Sequence, residues 1–371
     1  MKLETSRITP FQYMFSVACF LQSSALLSAF FAPITRQDSW LVVLFGMVVA
    51  IPELLVFAAL MRSFPGKNLI EITQAALGRT GGTIVSLMFI WFFFTQAALN
   101  LRDFGQFVRQ IILVETPTVI VITLCMALCA YAVLNGLNVV TRYAPVFSLM
   151  SIFLTILAIV LTLNLMNPDN FLPMLAQEPI KYIHGTNIVL SIPFGELVLF
   201  LMAAPSVQRG KKSKIAYLFG GFVIGGMTIV TVVVRDTAVL GPVGTLFSLP
   251  AFETLRLIRL TDALNRMEIL FAIVLIVLLF FKISIIFYAT VTAVAQLFRL
   301  KSYHPLVLTL AAFVIGYSTF VFPTAEIHSA YSRETAPIFW ILFEFLLPLL
   351  VLIVGRARGL HKAQNSEVLQ S

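Results

Sequence analysis

Two ionisable groups stand where an aqueous charge does not belong. Lys282 lies in the run "LIVLLFFKISIIFY", about fourteen residues into an apolar segment and so near the middle of any helix that crosses a bilayer. An ammonium at that depth costs about 2.5–3.5 kcal/mol even on insertion scales, so it needs a partner or a cavity. Glu196 lies in "SIPFGELVLFL", directly after Pro193, Phe194 and Gly195. Pro193 has no N–H, and a helix running through it leaves the carbonyl one turn earlier unpaired. Irregular backbone at membrane depth survives where it lines a cavity. A carboxylate and an ammonium so placed have three uses: receiving the opposite charge of a small zwitterion, exchanging a proton, or pairing with each other to fix helix packing.

Other polar groups interrupt the apolar stretches. Gln22, Ser23, Ser24 and Ala25 break the first one, and such a cluster marks either a ligand site or a close helix contact. Glu53 follows Pro52 in the second and reads as a coupling carboxylate or as a structural acceptor beside the proline. Asn100, Arg102 and Asp103 close the third, where a local ion pair snorkelling outward also accounts for them. Glu344 lies in the last. The ligand site is expected where Gln22, Ser23, Ser24 and Ala25 meet Pro193, Phe194, Gly195 and Glu196, with a half-helix N-terminus attracting a carboxylate and Glu196 an amine.

Little else in the chain offers chemistry. Cys19, Cys125 and Cys129 sit in apolar runs with no C-x-x-C spacing, so they behave as small hydrophobes and no disulfide is expected. His184, His304, His328 and His361 are scattered without carboxylate or thiol at ligand spacing, which predicts no metal site. Phosphate loops, nucleophile elbows and zinc-hydrolase motifs are missing. No enzymatic activity and no cofactor are expected.

The elements that position these groups follow from composition. Of 371 residues, 59% are hydrophobic and 11% charged, too little surface polarity for a soluble domain. The expected architecture is an all-α polytopic membrane protein of about ten spans, near 11–33, 39–61, 83–110, 117–136, 143–165, 185–205, 215–240, 267–298, 304–323 and 337–355. The polar start and long first span argue against a cleaved signal peptide. Leu69–Gly78 and Thr245–Arg266 read as amphipathic helices at the interface.

With the N-terminus inside, fifteen of the 25 Lys and Arg residues fall on the inner side and eight on the outer, Arg235 and Lys282 lying within spans. Both termini are therefore expected in the cytoplasm, and residues 356–371 as a polar tail. The charge of +8 describes topology and contact with the lipid bilayer, and gives no reason to expect nucleic acid. Interruptions in the first and sixth of ten helices suit a five-plus-five inverted repeat within one domain, 1–165 and 185–355.

These residues resemble a known family over essentially the whole chain. "ITPFQ" at Ile8–Gln12, "NLRDF" at Asn100–Phe104, "ETP" at Glu115–Pro117, "NGLNVVTR" at Asn135–Arg142, "GELVLFL" with its basic loop at Gly195–Lys214 and "NRMEIL" at Asn265–Leu270 recur in order. They are similar to those of the spore germination permeases, the B subunits of GerA-type nutrient-germinant receptors in the amino acid–polyamine–organocation (APC) transporter superfamily. The resemblance implies an APC/LeuT-like fold and a role in sensing a nutrient, usually an amino acid, in the inner membrane of a spore or the cell membrane. It implies an A-type membrane subunit and a C-type lipoprotein as partners, and assigns the family's Arg-x-Glu element to Arg266 and Glu268. Where the family often carries a "GAG"-like interruption, this chain has Ser23, Ser24 and Ala25. A proton-coupled amino-acid permease and a scaffold subunit that binds nothing are the alternative functions.

Overall fold

The computed structural model describes residues 7–24, 28–208, 213–247, 249–258 and 267–359. Seven of its helical segments are long and apolar enough to cross a membrane, and Thr118–Leu134 and His304–Phe320 are shorter apolar helices. With the first half-helix, they agree with the expected all-α class of about ten spans.

The first span is in two pieces. Helix α1 (Pro10–Gln22) opens on a capping box, in which Thr9 and Gln12 satisfy each other's backbone N–H groups. It is capped at Ser23, and α2 (Ser28–Thr35) is the next helix. Helix α3 (Ser39–Ser63) carries Pro52 and Glu53. Helix α4 (Leu69–Ile111) fuses the predicted amphipathic segment to the third span across a kink at Gly78, whose φ of 78° suits glycine. Helices α5 (Thr118–Leu134), α6 (Leu137–Arg142) and α7 (Ala144–Thr162) complete the first half.

The sixth span is broken as well, and begins earlier than its hydropathy suggests. Helix α8 (Pro179–Val189) runs into a π turn at Leu190–Phe194 in which Ile192 is extended (φ −119°, ψ 110°), then a tight turn at Gly195–Leu199 and α9 (Phe200–Ala203). Helices α10 (Lys214–Leu240), α11 (Pro250–Arg256), α12 (Met267–Leu297) and α13 (His304–Phe320) follow. Of the predicted amphipathic stretch to Arg266, Pro250–Arg256 is helical, and residues 259–266 lie outside the described set. The tenth span is a chain of α14 (Ala325–Ala330), α15 (Ala336–Ile341) and α16 (Leu347–Ala357) joined by π turns at Tyr331–Thr335 and Leu342–Leu346.

Packing sorts these helices into a centre and a shell. Helix α4 lies along α12, and α1 along α10. The tenth span is held to α4 by aromatic rings: Phe92 stacks on Phe343 and meets Trp340 edge-on, both at 5.2 Å. Shell helices turn large apolar residues outward; Leu124, Leu128 and Tyr131 of α5 are exposed on one face. At this length and hydropathy such a face suits hydrocarbon rather than water.

Candidate functional site

Lys282 is where the broken helices meet. It projects from the middle of α12, is 2% exposed, and places Nζ 2.7 Å from Oε2 of Glu196. The same ammonium donates to Ser24 Oγ at 3.0 Å and stands 4.7 Å from the centre of the Phe20 ring. One cation is thus shared by the end of the first half-helix and the far side of the sixth-span break, with an aromatic face completing its shell. The break permits this: Pro193 interrupts the helical ladder and Ile192 is extended, so the turn carrying Glu196 is re-aimed toward α12.

A cavity of about 420 Å³ opens beside this centre, within the range that holds small molecules. Ser23, Ser24, Asn100, Asp103, Ile192 and Lys282 line it, together with Phe247, Glu326 and Arg333 among others. Asp103 is paired with His328, Oδ1 to Nδ1 at 3.3 Å. Its neighbour Arg102 donates instead to the carbonyls of Ser318 and Thr324 at 3.1 and 3.4 Å. Asn100 donates to the Gln96 carbonyl one turn back. A second cavity of about 530 Å³ carries Arg102 and Arg109 and shares Gln106 and Gln110 with the first.

Several residues singled out in the sequence lie behind this wall. Gln22 donates to Thr228 of α10 at 3.2 Å. Pro193 and Phe194 are buried, the Phe194 ring 5.2 Å from Phe222. Gly195 packs against Glu344, whose Oε2 accepts from Ser191 at 2.9 Å. Glu53 is buried with Oε2 unpartnered, and Glu268 has a buried, unpartnered Oε2 in the first turn of α12. Ala25 and Arg266 lie outside the described residues. Sequence reasoning did not place Phe20, Ser191 or His328 at the site: an aromatic and a serine in apolar runs, and a histidine in a polar stretch before the last span, carry no spacing signal of their own.

At the other end of the bundle the first and sixth spans are tied together. The Ile8 N–H donates to Ser206 and the Gln208 N–H to Ile8, at 3.0 and 2.9 Å, so the segment before α1 pairs with the segment after α9. Tyr13 donates to the Phe200 carbonyl at 3.4 Å and Lys214 to that of Ala204 at 2.9 Å. Among the described residues no three His, Cys, Asp or Glu side chains are grouped to hold a metal ion. The site therefore offers opposite charges, hydroxyls and an apolar floor, which is equipment for binding.

Comparison with known proteins places this arrangement. A family model described as "Spore germination protein" matches residues 7–328. Spore germination protein KB of Bacillus subtilis (strain 168) is 28% identical over 359 residues, 95% of each chain. Among solved structures, the nucleobase-cation-symport-1 family transporter Mhp1, closed with bromovinylhydantoin bound, superposes with a TM-score of 0.66 at 12% identity, over 92% of this chain and 76% of that one. MhsT in complex with L-phenylalanine gives 0.58 at 12% identity, over 95% and 99%. At such identities the likeness concerns the fold: an APC/LeuT-like inverted repeat with broken first and sixth spans.

Proposed function

The chain belongs to the spore germination protein family, and we propose that it is the nutrient-sensing membrane subunit of a germinant receptor, with an amino acid bound between the broken spans. That it is a multi-pass membrane protein of germinant-sensing or transporting type follows from family and fold. The amino acid rests on one observation: the cavity presents an ammonium, Lys282, and a carboxylate, Asp103, within the same small space. A zwitterion satisfies both. Its carboxylate meets Lys282 and the Ser23 and Ser24 hydroxyls, its amine meets Asp103 and Asn100, and Glu196 holds Lys282 from behind. Glu196 thereby acts through the lysine, and Pro193, Phe194 and Gly195 shape the break. The Arg102 and Arg109 guanidinium groups of the neighbouring cavity attract the ligand carboxylate.

Binding favours one packing of the bundle, and an A-type membrane subunit and a C-type lipoprotein read it out in the spore inner membrane. Both termini face the cytoplasm, so a cysteine from Ser213→Cys should react with an impermeant thiol reagent from inside alone. The permease alternative draws on the fold of its neighbours, which are transporters.

The test is a panel of amino acids of graded size, measured for direct binding to the purified chain and for germination of spores whose receptor contains it. Ser24→Leu should shut out the bulkier nutrients first and leave the smallest least affected at normal subunit level. Uniform loss that tracks subunit level rejects the pocket. Failure of every amino acid to bind leaves a scaffold, and uptake into proteoliposomes selects the permease.

A further inference from the structure

The tenth span brings a carboxylate to the break in the sixth. Glu344 is 1% exposed, and its Oε2 takes the Ser191 hydroxyl at 2.9 Å. A Cβ on Gly195 would stand 2.5 Å from that oxygen, so Glu344 fills the space a side chain would need. Its other oxygen, Oε1, is buried without a partner, as is Oε2 of Glu53, a residue only 4% exposed. Glu53 arrives on α3, which packs on the second π turn of the tenth span and on both sides of the break. The charged groups in electrostatic range of Glu344 are Glu53 on α3, Glu196 past the break and Lys282 on α12. The one ammonium in range of Glu344, that of Lys282, is paired with Glu196 at 2.7 Å.

Two further buried anions without a counter-ion are not a stable arrangement. Neighbouring carboxylates in such a place do not both ionise. A proton answers both difficulties, since it removes a charge and turns a bare carboxyl oxygen into a donor. We propose that Glu344 and Glu53 form a proton-binding site packed against the break of the sixth span and separate from the nutrient cavity. With the proton bound, Glu344 rests neutral against Ser191 and Gly195. When it leaves, the carboxylate competes with Glu196 for Lys282 and pulls on the break. The proton site stands apart from the nutrient reading; its linkage to nutrient through Lys282 rests on that reading.

Infrared difference spectroscopy of the purified full-length chain, titrated through neutral pH, tests the site without any nutrient. The expected result is a protonated-carboxyl carbonyl band at neutral pH that shifts in D₂O. Glu344→Gln should reduce it, Glu53→Gln/Glu344→Gln should reduce it further, and the exposed control Glu178→Gln should leave it alone. Absence of the band from the unsubstituted chain, which requires no variant to fold, overturns the proposal. So does a band unchanged in the double variant.

Discussion

Lys282 and Glu196 hold each other at 2.7 Å, both nearly inaccessible, across the break of one helix and the midpoint of another. Removing one partner of such a pair strands the other charge in apolar surroundings, at a cost of about 3–5 kcal/mol. Lys282→Met and Glu196→Gln should therefore each lower the thermal unfolding midpoint of the purified chain sharply. The double substitution should recover part of the loss. Losses that simply add would show that the two residues do not depend on each other.

Asp103 is expected to carry the ligand amine, and a charge-assisted hydrogen bond contributes about 1.5–3 kcal/mol. Asp103→Asn should raise the nutrient concentration for half-maximal germination roughly ten- to a hundred-fold at unchanged subunit level. An unshifted dose–response curve would remove Asp103 from the site.

Gly195→Ala should cost about 1–3 kcal/mol of stability, because the added methyl meets Oε2 and Cδ of Glu344. Glu344→Ala removes the carboxylate and leaves only its own Cβ, at 2.9 Å, in the way, so the combined Gly195→Ala/Glu344→Ala variant should be more stable than the sum of the two changes predicts. Thermal unfolding of the four proteins reads this coupling directly.

Ile8 and Val207 pair side by side in a parallel bridge between the segment before α1 and the segment after α9, which brings their backbones within reach of a disulfide. Ile8→Cys/Val207→Cys should form the bond under an added oxidant, with the buried native Cys19, Cys125 and Cys129 not competing. The cross-link should hold the two segments together and suppress transport if the chain is a permease, with reduction restoring it. If sensing alone is its task, nutrient binding should survive the bond. Failure of the two thiols to oxidise in folded protein would deny the pairing.

The spans were legible because twenty apolar residues in a row admit few explanations, and the sixth-span break because proline and glycine have few uses inside a helix. What sequence could not show was partnership at long range. Asp103 reads naturally as the companion of Arg102 beside it, yet it meets His328 while Arg102 reaches the carbonyls of Ser318 and Thr324. Glu344 looks like any buried carboxylate until the fold lays it on Gly195. Gln22 belongs to the first-span interruption in sequence, but the pitch of α1 turns it to Thr228, away from the cavity. In each case the deciding contact joins residues far apart in the chain, and only a topology supplies it.

The π turn at Leu342–Leu346 has a meaning for descent. A π turn is one residue more than an α-helix needs, absorbed locally while the helix on either side keeps its face. Losing a single codon there would leave Trp340 and Leu347 facing as they do and swing the carboxylate of residue 344 off Gly195. Helix length at this point and side-chain size at 195 should consequently be inherited together: a lineage with the shorter tenth helix is free to place alanine or serine two residues past the proline, and one with the longer helix is held to glycine.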